Sequence, residues 1–210
     1  MDASIFKNSI GTHLNYLKIA YGFLIEAYQE LVNLGYDASL NNENKIRDDL
    51  VKIAKKKKNY KFPFRWITEF HDIEEKNRID IDLAIPCSLI DDSHAIKIEC
   101  KKIGEDKYID TKKSFSRKRG STNGIMSFIT GKYSPNMPLA GMIGFVKKGN
   151  IQIKIENIKK RINIHSDIIT IQNLLKIKII DNFEYSYHSK HKRSNNFREL
   201  DIYHLFFDFT

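Results

Sequence analysis

The sequence predicts an α/β domain: a central mixed β-sheet flanked by helices, with an extra helix at the N-terminus. Three observations carry this. Apolar residues recur at helical spacing through 14–32 and again through 46–54. Between 65 and 103 the period changes to two, as in half-buried strands. Residues 139–146 (LAGMIGFV) are apolar throughout, as a strand buried on both faces is.

A chain of 210 residues can bury a sizeable core, and no linker or internal repeat divides it, so a single domain 1–210 is expected. Within it, 1–38 form an N-terminal helical segment, 39–150 the core and 151–210 an extension that completes the domain. With 41% hydrophobic and 29% charged residues the composition is globular, which excludes a disordered or fibrous chain. No apolar stretch approaches the roughly 18 residues of a membrane span, and MDASIFKNSIG has no charged-then-apolar secretory pattern. Two cysteines, Cys87 and Cys100, exclude a disulfide scaffold and fit a reducing cytoplasm.

The elements follow in order. Leu14, Leu17, Ala20, Tyr21, Leu24, Ile25, Tyr28, Leu31 and Val32 form the stripe of one long amphipathic helix over about 10–34, with Gly35 as its C-cap. A second helix starts near Asn42, buries Ile46, Leu50, Val51 and Ile53 or Ala54, and ends on Lys55–Lys58, where the helix dipole favours cations. Pro63 breaks the connection that follows. Residues 65–72, 78–85 and 95–103 read as strands, the last two closing a hairpin through a turn-rich link. A basic loop, Lys112–Gly120, precedes a helix around 122–131 and the buried strand 139–146. Residues 151–161 and 168–176 read as helical, and 177–187 and 200–209 as strands.

The chemistry is concentrated in the hairpin. Residues two apart on a strand share a face, so Asp80 and Asp82 lie opposite Ile79, Ile81 and Leu83, and Glu99 and Lys101 lie opposite Ile98 and Cys100. Symmetric closure of the hairpin sets Asp82 across from Glu99 and Asp80 across from Lys101. Clustered carboxylates repel and need a counter-charge. Lys101 supplies part of it, and a divalent ion with a preference for oxygen ligands, Mg²⁺ or Mn²⁺, supplies more. Such an ion lowers the pKa of a bound water and neutralises a phosphate oxygen.

Asp82 followed by Glu99-Cys100-Lys101 resembles the signature of the PD-(D/E)XK, or restriction-endonuclease-like, nuclease superfamily. Ile81 stands where many members have Pro before the Asp, a mild departure. The helix–strand–strand–strand–helix–strand order around 43–146 resembles the family's core, covering roughly the central half of the chain. The resemblance implies Asp82, Glu99 and Lys101 as catalytic residues. It implies metal ligation by Asp82, Glu99, the backbone carbonyl of Cys100, and Glu43 on the preceding helix, with Asp80 as the alternative aspartate. It further implies a Mg²⁺-dependent DNA endonuclease, with Mn²⁺ able to substitute, in restriction or anti-phage defence. A homodimer or a defence-system partner protein would accompany double-strand cutting.

A formal net charge of +9 fits a polyanionic partner, DNA before RNA. The excess is uneven. The first forty residues hold two bases and four acids, whereas bases cluster at 55–58, 112–119 and 190–193. Candidate nucleic-acid contacts are Lys112, Lys113, Arg117, Lys118 and Arg119 of the basic loop, Lys132 after the following helix, and His191 and Arg193 near the C-terminus. His71 and Trp66 read as structural. Two other functions fit the composition: a nucleic-acid-binding module without chemistry, and a nuclease subunit controlled by a partner docked on the near-neutral first helix.

Overall fold

The computed structural model describes residues 3–57, 65–71, 78–84, 96–103, 108–109, 124–194 and 198–210, with the backbone alone described for 3–10, 65–71 and 78–84. Helix α1 (Ala3–Asn33) buries Leu17, Ala20, Tyr21, Leu24, Ala27 and Leu31, a three-and-four spacing that draws one line down the helix. It stops at Gly35, whose φ of 69° suits glycine. The amides of Gly35 and Tyr36 donate to the carbonyls of Val32 and Leu31, both at 3.0 Å, closing the turn as a Schellman cap does. A 3-10 turn, Ala38–Leu40, leads to helix α2 (Glu43–Lys57). Asn42 caps α2 by accepting from Lys45 N at 2.9 Å, and Lys55, Lys56 and Lys57 occupy its last turn.

Seven strands follow: β1 (Arg65–His71), β2 (Arg78–Ala84), β3 (Ile96–Lys102), β4 (Leu139–Val146), β5 (Ile169–Lys176), β6 (Ser186–Lys192) and β7 (Glu199–Asp208). Helix α3 (Ile125–Ile129) lies between β3 and β4, and α4 (Ile151–Ile164) between β4 and β5. The strands make one mixed sheet in the order β1-β2-β3-β4-β7-β6-β5. Its centre, β3-β4-β7, is parallel, and both flanks are antiparallel. Parallel neighbours need a crossover connection, which α3 provides between β3 and β4.

Alternation along the central strands splits the apolar side chains between two cores. Ile96, Ile98, Cys100, Ile143 and Phe207 join α1 and α2 on one face. Met142, Ile202 and Phe206 join α3 and α4 on the other. Every residue of β4 is buried. A Cβ on Gly141 would lie 2.7 Å from both Ile98 Cγ1 and the Tyr21 hydroxyl, so glycine is what lets α1 approach the sheet. That hydroxyl donates to Tyr203 O at 2.7 Å and accepts from Met142 N at 3.1 Å.

Three expectations are corrected. Residues 169–176 form β5 instead of a helix: register shifts between Thr170 and Gln172, and again between Gln172 and Leu175, interrupt the alternation and imitate helical spacing. The strand expected over 177–187 falls instead at Ser186–Lys192, where alternating polar residues mask a strand paired on both sides. The β2–β3 register also differs. Asp82 pairs with Lys97 and Ile81 with Ile98, so Asp82 is not across from Glu99. Alternation fixes pairing only to within two residues, because a two-residue slip keeps every side chain on its face.

Candidate active site

The site is built on β3. Its alternate residues Ile96, Ile98 and Cys100 enter the α1–α2 core, which turns Glu99 and Lys101 to the opposite face. β3 lies between β2 and β4, so both charged residues are buried, at 2% and 7% exposure. Isolated buried charges are costly, and these two are paired: Lys101 Nζ lies 2.6 Å from Glu99 Oε1. The same ammonium donates to Glu43 Oε1 at 3.2 Å and to the carbonyl of Cys100 at 2.9 Å. Among the described residues, these three acceptors meet one lysine nitrogen.

Glu43 opens α2, so its place is set by the helix N-terminus, which favours an acid. Its second oxygen, Oε2, accepts from the amide of Lys102 at 2.6 Å. One carboxylate therefore ties the helix to the strand and holds Lys101.

Lys132 lies in the loop after α3. Gly131 takes a φ of 73° there, and the Lys132 ammonium lies 5.2 Å from the centre of the Tyr133 ring. Tyr133 is buried and meets Phe128 edge-to-face at 5.6 Å. Burial holds the Lys132 ammonium below the usual lysine range, the Glu99 carboxylate pulls it up, and Lys101 pushes it down.

Of the other expected site residues, Asp80 and Asp82 belong to β2, where the backbone alone is described. Lys112, Lys113, Arg117, Lys118 and Arg119 lie outside the described residues. Among the described residues, no group of three His, Cys, Asp or Glu side chains gathers as a metal site.

His191 and Arg193 are corrected as phosphate contacts, because both are buried, at 0% and 1% exposure. Arg193 donates to three carbonyls: Phe128 O through Nη1, and Ser134 O at 2.8 Å and Met137 O at 2.7 Å through Nη2. Burial lowers its guanidinium to about 10, so it stays charged at neutral pH. His191 belongs to a buried chain. The Tyr108 hydroxyl lies 2.9 Å from His204 Nδ1, Ser189 Oγ lies 2.9 Å from His204 Nε2 and 2.8 Å from His191 Nε2, and Thr170 Oγ1 lies 3.4 Å from His191 Nδ1. Desolvation drives His191 down to about 4 and His204 well below the ordinary histidine range, so both are neutral. The sequence reading missed this chain. Its one signal is a histidine inside the largely apolar run Ile202–Phe207.

Among the described residues, no helix is long and apolar enough to cross a membrane. Compared with known proteins, the chain matches no family model, no curated sequence and no solved structure.

Proposed function

We propose that this chain is a metal-dependent endonuclease of the PD-(D/E)XK type that hydrolyses DNA phosphodiester bonds, in restriction or phage defence. The observation that carries the reading is the meeting of three residues. Glu99 and Lys101, two apart on β3, are ion-paired at 2.6 Å, and Glu43 reaches the same lysine at 3.2 Å from the helix before the hairpin. Separated by up to 58 positions in sequence, they are three of the residues the resemblance implies, brought to one point. The order α2, β1, β2, β3, α3, β4, with α3 crossing between parallel β3 and β4, agrees with that family's core. The net charge of +9 suits a DNA partner.

The donors around β3 fit a hard divalent ion, since the Glu99 carboxylate and the Cys100 carbonyl are both oxygen ligands. Mg²⁺, or Mn²⁺ in its place, would be held by these and by an aspartate of β2. Asp80 is the first candidate, because it and Glu99 each lie one residue beyond the paired Ile81 and Ile98, and Asp82, paired with Lys97, is the second. Bound there, the ion would acidify water and neutralise a phosphate oxygen. Both Glu43 oxygens are already engaged by Lys101 and Lys102, so its part is to anchor the lysine. Held by Glu99, Glu43 and the Cys100 carbonyl, Lys101 keeps one position, from which it orients a water or offsets phosphate charge.

The test is single-turnover cleavage of a labelled DNA duplex in Mg²⁺ or Mn²⁺, comparing the wild type with Glu99→Ala, Lys101→Ala, Asp80→Ala and Asp82→Ala. The reading expects cleavage by the wild type, its loss in Glu99→Ala and Lys101→Ala, and a greater loss in Asp80→Ala than in Asp82→Ala. Robust cutting by Glu99→Ala would overturn it. Salt-dependent binding without cleavage, indifferent to metal and to Glu99→Gln, would identify a binding module instead.

A further inference from the structure

Alternation carries past the end of β4. Ile143 and Phe145 enter the α1–α2 core, so Lys147, two residues on, is directed to that same face, while Lys148 is exposed. There Lys147 reaches the loop between the two helices. Its Nζ donates to the carbonyl of Asn41 at 2.6 Å, across 106 positions of sequence. The loop is braced within itself. Asp37 Oδ1 accepts from Ser39 N at 2.7 Å, Asn41 Nδ2 donates to Asp37 O at 2.8 Å, and Asn41 N donates to Ala38 O at 3.2 Å. A hold on Asn41 is therefore a hold on the loop, and on Asn42 and Glu43, which follow it directly.

The first turn of α2 needs such a hold. Ile46, Leu50, Val51 and Ala54 seat the helix in the core, but this burial begins about one turn after Glu43. Apolar contact is non-directional, and helix ends open more readily than helix middles. The task of Glu43 is directional: Oε2 accepts from Lys102 N at 2.6 Å and Oε1 from Lys101 Nζ at 3.2 Å. Both bonds need the start of the helix fixed to a fraction of an ångström. Lys147 supplies a fixed point from the neighbouring strand. β4 pairs with β3 there, Phe145 beside Lys102, and Ile103 N bonds Phe145 O at 2.9 Å. Asn41 and Glu43 are thus tied to the ends of two paired strands. An ammonium just before a helix N-terminus opposes the helix dipole, so helix stability alone does not account for it.

We propose that Lys147 is a positioning residue of the candidate active site: through the Asn41 carbonyl it sets the start of α2 so that Glu43 holds Lys101. In this role it touches neither substrate nor metal. Its effect on cleavage rests on the nuclease reading, whereas its effect on Glu43 rests on the contacts alone.

The test uses the full chain and the variants Lys147→Met, Lys147→Arg, Glu43→Ala and the double variant Lys147→Met/Glu43→Ala. Hydrogen exchange of the Lys102 amide reports the grip of Glu43, and the next amide, Ile103, bonded to Phe145 instead, is the internal control. In Lys147→Met, exchange at Lys102 is expected to rise about 10-fold with Ile103 unchanged, and Lys147→Arg, which keeps a charged donor, to restore it. Single-turnover cleavage of a labelled DNA duplex in Mg²⁺ follows the same order. It is about 10-fold slower in Lys147→Met and close to wild type in Lys147→Arg. The double variant is no slower than Glu43→Ala, because both changes act through one contact. A lysine that only stabilised the fold would raise both amides together and multiply the two rate effects, which would overturn the proposal. Should Lys147→Met not fold, Lys147→Gln, shorter and uncharged, takes its place. Unchanged exchange at Lys102, with cleavage by the wild type and none by Glu99→Ala, overturns the proposal and leaves the nuclease reading standing. A wild type that cuts nothing, with Lys102 exchange still rising in Lys147→Met, overturns the nuclease reading and keeps the positioning of Glu43. No cleavage and no change in exchange overturn both.

Discussion

Two buried polar clusters lie on one sheet and are built on opposite principles. Around Lys101, an ammonium and two carboxylates meet where α2 begins, and Glu43 remains a quarter exposed, with 25% of its side chain accessible. Around His204, a tyrosine, a serine and two neutral histidines form a chain sealed between β6, β7 and the second core. The first holds charge beside an opening to solvent. The second satisfies polar atoms with one another and carries no charge. Buried polarity by itself therefore marks no site; ionised groups kept in place against their desolvation cost do.

The largest effect that can break this contrast is on activity. Glu99→Gln, nearly isosteric, is expected to reduce cleavage by about 10³-fold or more, through loss of the charge that holds Lys101 and would ligate metal. His204→Phe, in a fully buried position beside Phe206, is expected to leave the single-turnover rate within about 3-fold of wild type once folded protein is compared. Equal losses in the two variants would erase the distinction.

Stability comes next. Lys101→Met leaves the Glu99 and Glu43 carboxylates facing each other without their shared ammonium. Breaking a buried pair in this way costs about 3–5 kcal/mol, read as a lower denaturation midpoint. Adding Glu99→Gln should return part of that loss, because the orphaned charge is then gone.

Acid should reveal the neutral cluster. His191 stands at about 4 in the folded protein against an ordinary 6.5, through burial first and the nearby His188 second, with Asp201 opposing. A histidine with a depressed folded value stabilises fully above about pH 6.5. That contribution is lost as pH falls toward 4, because the unfolded chain takes up the proton first. The loss for His191 is up to roughly 3 kcal/mol, and His204 acts in the same direction. Urea unfolding at a series of pH values checks it. His191→Gln should flatten the slope between those limits. Ser189→Ala, which strips both histidines of their common partner, should cost about 1–3 kcal/mol at neutral pH.

What could be read in advance follows the same physics. The α1 stripe, the α2 ends and the all-apolar β4 were legible because burial writes itself into period and composition. The faces of β3 were legible too, and with them the grouping of Glu99 with Lys101. The β2–β3 register was not, since a two-residue slip leaves the pattern intact. β5 was hidden by its register shifts. Arg193 was misread because a sequence shows charge without depth: in a run of basic residues, nothing distinguishes the one that turns inward.

The smallest expected effect is the control on the whole comparison. Lys190 and Glu199 also make a lysine–carboxylate pair at 2.6 Å, between β6 and β7, but their side chains are 30% and 58% exposed. The contact distance equals that of Lys101 with Glu99, whose side chains are 9% and 3% exposed. Water screens the outer pair and already solvates each partner alone, so Glu199→Gln should change stability by at most about 1 kcal/mol and fade further in salt. If Glu199→Gln proved as costly as Lys101→Met, contact distance and not burial would govern these pairs. The Lys101 cluster would then lose the physical distinction that singles it out as a site.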